Sequence, residues 1–260
     1  MIVHTVSGMV TTWLRGVPVT RMLKVADMPP KFAVPDDDVA DALARAEFAH
    51  LVTYASAGLV TTPLPMLYDA DRHSLIGHVA RANTHWQAAG EESVAIFAGP
   101  QAYISPSLYA TKFETGKVVP TWNYDVLAAY GRLTAHDDQD WVLALVTALT
   151  DRHERDRARP WQVTDAPEAF VRGQLRAIVG VELVIDRIEA KAKMSQNQTA
   201  RNRAGVVAGL VESAPEVADR VAELDPGSTN ANGRGKPSPD NRDLRTASIS
   251  TDRTAPDDGS

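Results

Sequence analysis

Four short strings hold the residues of this chain best equipped for chemistry. Val118-Val119-Pro120-Thr121-Trp122-Asn123-Tyr124 places a Pro, a Trp and an Asn inside a strand-like run. An indole beside an amide that both donates and accepts can grip a planar, hydrogen-bonding ligand. A kinked edge strand with its Trp in the core would use the same residues for packing. In Gly77-His78-Val79-Ala80-Arg81-Ala82-Asn83-Thr84-His85-Trp86, Gly77 permits close backbone approach, Arg81 offers a planar fork for phosphate or carboxylate, and Asn83 bonds in both senses. Read as packing, Arg81 is a solvated charge and His78 a satisfied core histidine. His85, at a helix start beside Trp86, is either a packing imidazole or a ligand for a metal or haem iron. Gly99-Pro100-Gln101-Ala102-Tyr103-Ile104-Ser105-Pro106 contributes Tyr103 and Ser105, which could stack on or bond a planar ring. Lys191-Ala192-Lys193-Met194-Ser195-Gln196-Asn197 lines up Lys193, Ser195, Gln196 and Asn197 directly after a strand. An ammonium with three short hydrogen-bonding neighbours can hold a phosphate, whereas helix capping ahead of Thr199 would account for one of these residues.

Much other chemistry is excluded. Without Cys there is no disulfide, thiol nucleophile or Cys-ligated metal. No G-x-G-x-x-G follows a strand, and no P-loop, G-x-S-x-G elbow or H-E-x-x-H arrangement appears. Asp69, Asp71 and His73 are explained by a turn. A formal net charge of -6 disfavours broad adhesion to nucleic acid or anionic membrane. Polar residues interrupt every hydrophobic run of Met1–Asp27, so this stretch reads as an extension and not a signal peptide. No window approaches a membrane span, and the expected location is the cytoplasm.

The elements that must position these strings can be read from periodicity. Acidic Asp36-Asp37-Asp38 opens a short helix. Leu51–Tyr54 and Leu59–Leu67 read as a hairpin, with Pro63 and Pro65 marking an edge or bulge. Ser74–Val79, Ser93–Phe97, Val126–Thr134 and Ile178–Ile188 supply further strands. Helices are expected over Asp140–Arg155, over Ala166–Leu175, and from the Thr199 cap to Leu210. Short strands joined by tight turns favour a barrel over a parallel sheet.

Taken in order, the four strings resemble the PaiB family, described as FMN-binding negative transcriptional regulators. The likeness runs from Met28-Pro29-Pro30-Lys31-Phe32 to about Leu210. It implies an α+β fold, the FMN-binding split β-barrel with flanking helices, in a homodimer with the cofactor at or near the interface. It sets an extension (1–27) apart from a split-barrel domain (28–212), and the Pro, Gly, Ser and Asn-rich composition from about Asp225 onward makes the remainder (213–260) a polar, disordered tail. It implies FMN as cofactor, with haem the alternative. The implied cofactor set is His78, Arg81, Asn83, Tyr103, Ser105, Trp122, Asn123, Lys193, Ser195, Gln196 and Asn197. Arg81 and Lys193 form the expected pair for the FMN phosphate; His85 or His78 would ligate iron were the group haem. Catalytic residues are not identified.

The function implied is negative regulation of transcription, direct or indirect. Neither a helix-turn-helix pattern nor a recognition helix rich in Arg and Lys is apparent, so direct DNA binding is weakly supported. The alternative is a flavin- or haem-dependent redox enzyme, including one like the piperazate synthases, which look like PaiB relatives. The Ser195-Gln196-Asn197 run looks more like the general family. Three positions depart from the family pattern: Ala128 replaces a common His, Ala192 a common aromatic, and Leu108 a usual Trp.

Overall fold

A computed structural model describes residues 29–225, together with a two-stranded hairpin formed by β1 (Thr12–Leu14) and β2 (Val17–Val19). Most of the 1–27 extension and residues 226–260 of the expected tail lie outside the described residues. Six antiparallel strands close a barrel: β3 (Phe48–Ala55), β4 (Gly58–Asp69), β5 (Ser74–Ala80), β6 (Glu92–Ile104), β7 (Thr121–His136) and β8 (Ile178–Lys193). Around the barrel their order is β3, β4, β5, β8, β7, β6. Strand alternation fills the interior with Leu51, Leu64, Met66, Leu75, Ala95, Phe97, Leu127, Leu133 and Leu183. This is the split barrel with flanking helices that the resemblance implies.

Pro63 and Pro65 fall where β4 ladders with β3 alone, because pairing with β5 begins at Met66. Their missing N–H groups therefore cost no ladder bond on that side. At a bulge between β7 and β8, the register slips from Tyr130↔Arg187 to Gly131↔Ile185. A Cβ on Gly131 would overlap the carbonyl oxygen of Val184.

Helix α1 (Asp36–Arg45) inserts Leu43 into the barrel core. Helices α3 (Gln139–Glu154) and α4 (Glu168–Leu175) cover the outer face of β5 and β8, burying Trp141, Leu145, Leu149 and Leu175 against Ile76. Trp141 lies over Gly180, where any Cβ would overlap its ring, and stacks on His136 at 3.9 Å. Beneath it the buried Glu182 carboxylate accepts from Ser74 Oγ at 2.8 Å and pairs with His136 Nε2 at 2.7 Å. The His136 hydrogen bond, ahead of the others, holds the Glu182 carboxyl below the usual glutamate range.

The remaining connection, residues 105–120, carries α2 (Lys112–Thr115) between β6 and β7. It packs with α5 (Ala200–Leu210) and α6 (Pro215–Glu223) in a second core of Ile104, Tyr109, Met194, Val206, Leu210, Val217 and Val221. The 28–212 boundary is thereby corrected. Helix α6 falls in the stretch assigned to the tail, yet buries Val217, Ala218 and Val221 and pairs Arg220 with Asp125 at 2.8 Å. No helix among the described residues is long and apolar enough to cross a membrane.

Candidate functional site

The barrel separates the expected site residues to its two ends. At one end a 3-10 turn, Thr84–Ala88, plugs the barrel against β3, β4, β7 and β8. Asn83 caps that turn: its Oδ1 accepts from His85 N at 3.0 Å and its Nδ2 donates to Thr62 Oγ1 at 3.1 Å. His85 is 0% exposed, with Nδ1 2.8 Å from Thr62 Oγ1 and Nε2 2.7 Å from Thr53 Oγ1. Thr53 continues to Ser93 Oγ at 2.7 Å. Both imidazole nitrogens are therefore occupied, and burial pushes the His85 pKa down. With both nitrogens hydrogen-bonded inside the chain, His85 takes the packing role here, and iron would have to displace one of these threonine hydroxyls.

Arg81 sits beside this plug as a strut. Its guanidinium donates to the Arg176 carbonyl at 2.8 Å, the Ile178 carbonyl at 3.1 Å and both carboxylate oxygens of Asp137. Of five guanidinium N–H donors, four are thus engaged within the chain. His78 is displaced further. It lies on the outward side of β5 with Ile76, on the helix-covered face, and its buried Nδ1 has no partner. Desolvation lowers its pKa.

The other end gathers the remaining residues where β6 stops, β7 starts and β8 stops. Tyr103 and Trp122 are register partners on the outward face, 51% and 53% exposed, with ring centroids 6.1 Å apart in edge contact. Asn123 points inward, fully buried, and exchanges hydrogen bonds with Ser195 Oγ at 3.0 and 3.2 Å. Ser195 adopts the left-handed region at φ 64°, uncommon for a residue with a side chain. Gln196 folds onto its own turn, accepting from Met194 N at 2.7 Å and donating to the Ala192 carbonyl at 2.6 Å. Asn197 is exposed. Ser105 caps the turn that follows β6, accepting from Ser107 N at 3.2 Å.

Lys193 donates to Thr121 Oγ1 at 2.6 Å and to the Trp122 carbonyl, leaving one of three ammonium N–H groups. Burial above all, with the like charge of Lys191 and against an opposing pull from Tyr124, sets its pKa below the usual lysine value. Thr121 was not singled out from sequence, although its position two residues before Asn123 in the same motif was visible.

Arg81 and Lys193 consequently do not form a pair within one chain. Arg81 braces the first residue of β8 and Lys193 is the last, ~50 Å of strand contour apart at about 3.3 Å per residue.

Comparison with known proteins gives this geometry a family. The profile of the family described as "Putative FMN-binding domain" matches residues 28–187. An uncharacterised protein of Aspergillus fumigatus is 34% identical over 58% of this chain and 64% of its own length. The Protease synthase and sporulation protein PAI 2 of Bacillus subtilis is 29% identical over 68% of this chain and 84% of its own length. This chain spans about three fifths of the first curated relatives it matches. Among solved structures, the FAD and heme binding protein from Mycobacterium smegmatis superposes with a TM-score of 0.47 at 18% identity, covering 69% of this chain and 80% of that one. Since the family profile covers more than half of it, the chain belongs to this FMN-binding family of the PaiB type, and its cofactor is FMN.

Proposed function

We propose that the chain is a homodimeric FMN protein of the PaiB type that holds its cofactor where β7 meets the end of β8 and affects transcription only indirectly. The observation that carries this is Lys193, which keeps one ammonium donor while bonded to the backbone of Trp122, whose half-exposed ring meets that of Tyr103. That donor set fits FMN: a point charge for a phosphate and flat surfaces for a planar ring. The Arg81 end does not match it, because its cation and imidazole are already bonded within the chain. When bound, FMN supplies redox capacity that these side chains lack. Lys193 would bind an anionic oxygen, Trp122 and Tyr103 would flank the ring, and Asn123 with Ser195 would fix the turn that aims Lys193.

Dimerisation is favoured by the outward face of β3, β6 and β7. Val52, Val94 and Tyr130 form one cross-strand row there, and His50, Ile96 and Ala128 the next. On this face Val52, Val94, Ile96 and Tyr130 are half-buried and His50 is exposed, with only the small Ala128 buried, while helices cover β5 and β8. A two-fold partner would cover it and could bring the Arg81 end of one subunit near the Lys193 end of the other. An indirect regulatory effect fits α6, the second helix of the α5–α6 pair. It carries Glu216, Asp219 and Glu223, and its Arg220 is paired with Asp125 and Glu223. Such a helix would repel a phosphate backbone. Light scattering of the flavin-loaded protein tests the dimer: about twice the chain mass is expected, and a monomer with FMN bound would overturn it.

A further inference from the structure

Lysine and arginine are used differently in this molecule. Ten arginines face carboxylates at ion-pair distance. The five lysines among the described residues, Lys31, Lys112, Lys117, Lys191 and Lys193, have no carboxylate partner among those residues. All five also lie toward one end of the barrel. Lys191 and Lys193 alternate along the end of β8, and Lys31 precedes the Ala33↔Lys191 bridge. Lys112 and Lys117 lie in the 105–120 connection, which leads directly into Thr121, the contact of Lys193. The one acidic side chain between them, Glu114, is held by Arg201 at 2.7 Å.

Aromatic rings interleave with these cations. Lys112 Nζ stands 5.5 Å from the centre of the Phe113 ring, and Lys191 Nζ 5.4 Å from that of Tyr124. Phe113 is 82% exposed, more than any other large apolar side chain among the described residues. In a chain of net charge -6, gathering unneutralised ammonium groups at one end raises their mutual repulsion until an anion arrives. One phosphate monoester on the free donor of Lys193 would leave Lys112 and Lys117 unmatched.

We propose that this end binds, beside FMN, a second ligand of the nucleotide class, with Lys112 and Lys117 on its phosphates and Phe113 against its base. Point-charge ammonium groups suit phosphate oxygens, and an exposed ring accepts a base face without regard to base identity. A bare inorganic anion would leave the ring unused, and an acidic peptide would offer it no flat partner. The proposal rests on the FMN reading only in making this ligand the second one.

Calorimetric titration of the full, FMN-loaded chain with ADP, adenosine and pyrophosphate tests it. ADP should bind more tightly than either half-ligand, and its affinity should fall as salt screens the lysines. The Lys112→Ala/Lys117→Ala variant should lose at least tenfold in ADP affinity, and Phe113→Ala roughly tenfold, as expected for one stacked base, with FMN affinity unchanged in both. If ADP binds no better than pyrophosphate, no base is recognised and the proposal fails. If the double variant loses FMN and not ADP, those lysines serve the flavin and the proposal fails while FMN binding stands. If the parent takes up no FMN, the flavin reading falls, and the same ADP titration on the flavin-free chain still decides this one.

Discussion

The two ends of the barrel hold similar polar residues and use them oppositely. At the plugged end His85, Asn83, Thr62, Thr53 and Ser93 satisfy one another, and Arg81 is pinned by Asp137. At the Lys193 end, donors and rings stay partly open to solvent, and the strained residue is Ser195. Buried polar groups must be paired, so a closed network contributes stability and offers a ligand nothing. An open set contributes little stability and retains binding capacity. The lesson is that residue type alone does not mark a site; unsatisfied valence does.

Three measurements would break or sharpen this contrast. The largest effect is expected for His85→Ala, which removes a buried ring and strands the hydroxyls of Thr62 and Thr53. Chemical denaturation should show a loss of about 2–4 kcal/mol, with FMN affinity of the remaining folded protein little changed. A loss confined to FMN affinity would reverse the roles assigned to the two ends. Next is Lys193→Ala, where losing a charge-assisted contact should cost roughly 1.5–3 kcal/mol of binding, or 10–100-fold in FMN affinity. Riboflavin, without the phosphate, should lose less, and unfolding should hardly shift. Arg81→Ala is the control: were it to weaken FMN more than Lys193→Ala, the plugged end would be the phosphate site.

The smallest effects concern pH, and the two ends should fail in opposite directions. His85 and His78 have pKa values lowered by burial, whereas in the unfolded chain each takes a proton near the ordinary value of about 6.5. Unfolding therefore takes up protons as pH drops below about 6.5, so stability is full above that value and declines beneath it. Denaturation midpoints compared at pH 7.5 and 5.5 should show the decline, and His78→Gln should flatten part of it. Lys193 is lowered as well, so FMN affinity should weaken on the alkaline side, beginning below the usual lysine value of 10.5. An affinity flat to that pH would remove Lys193 from phosphate binding.

Strand and helix existence was legible because periodicity records burial. Leu75 and Val79 face the core while Ile76 faces α3, and Asp138 and Thr199 cap their helices as short polar side chains do. The prolines of β4 were legible as an edge, since a proline N carries no ladder donor. Helix α6 was not expected because it lies between the end of the resemblance, near Leu210, and the start of the tail-like composition, near Asp225. The spacing of Val217 and Val221 was the overlooked signal. At the site, Trp122, Tyr103 and Lys193 could be found from type and motif. The fate of Arg81 could not, because its carboxylate partner lies 56 residues away in sequence. The threonines that silence His85 read as ordinary strand residues until β3 and β4 are side by side.

Gly131 sets a limit on how chains of this kind can drift. At the slip between β7 and β8 even one added methyl would overlap the Val184 carbonyl. No single codon change to a larger residue is tolerable there unless both strands re-register together, and a one-residue slip would turn outward every side chain beyond it. In any lineage keeping this barrel, the position should be frozen, and an alignment of relatives would show it as an invariant column.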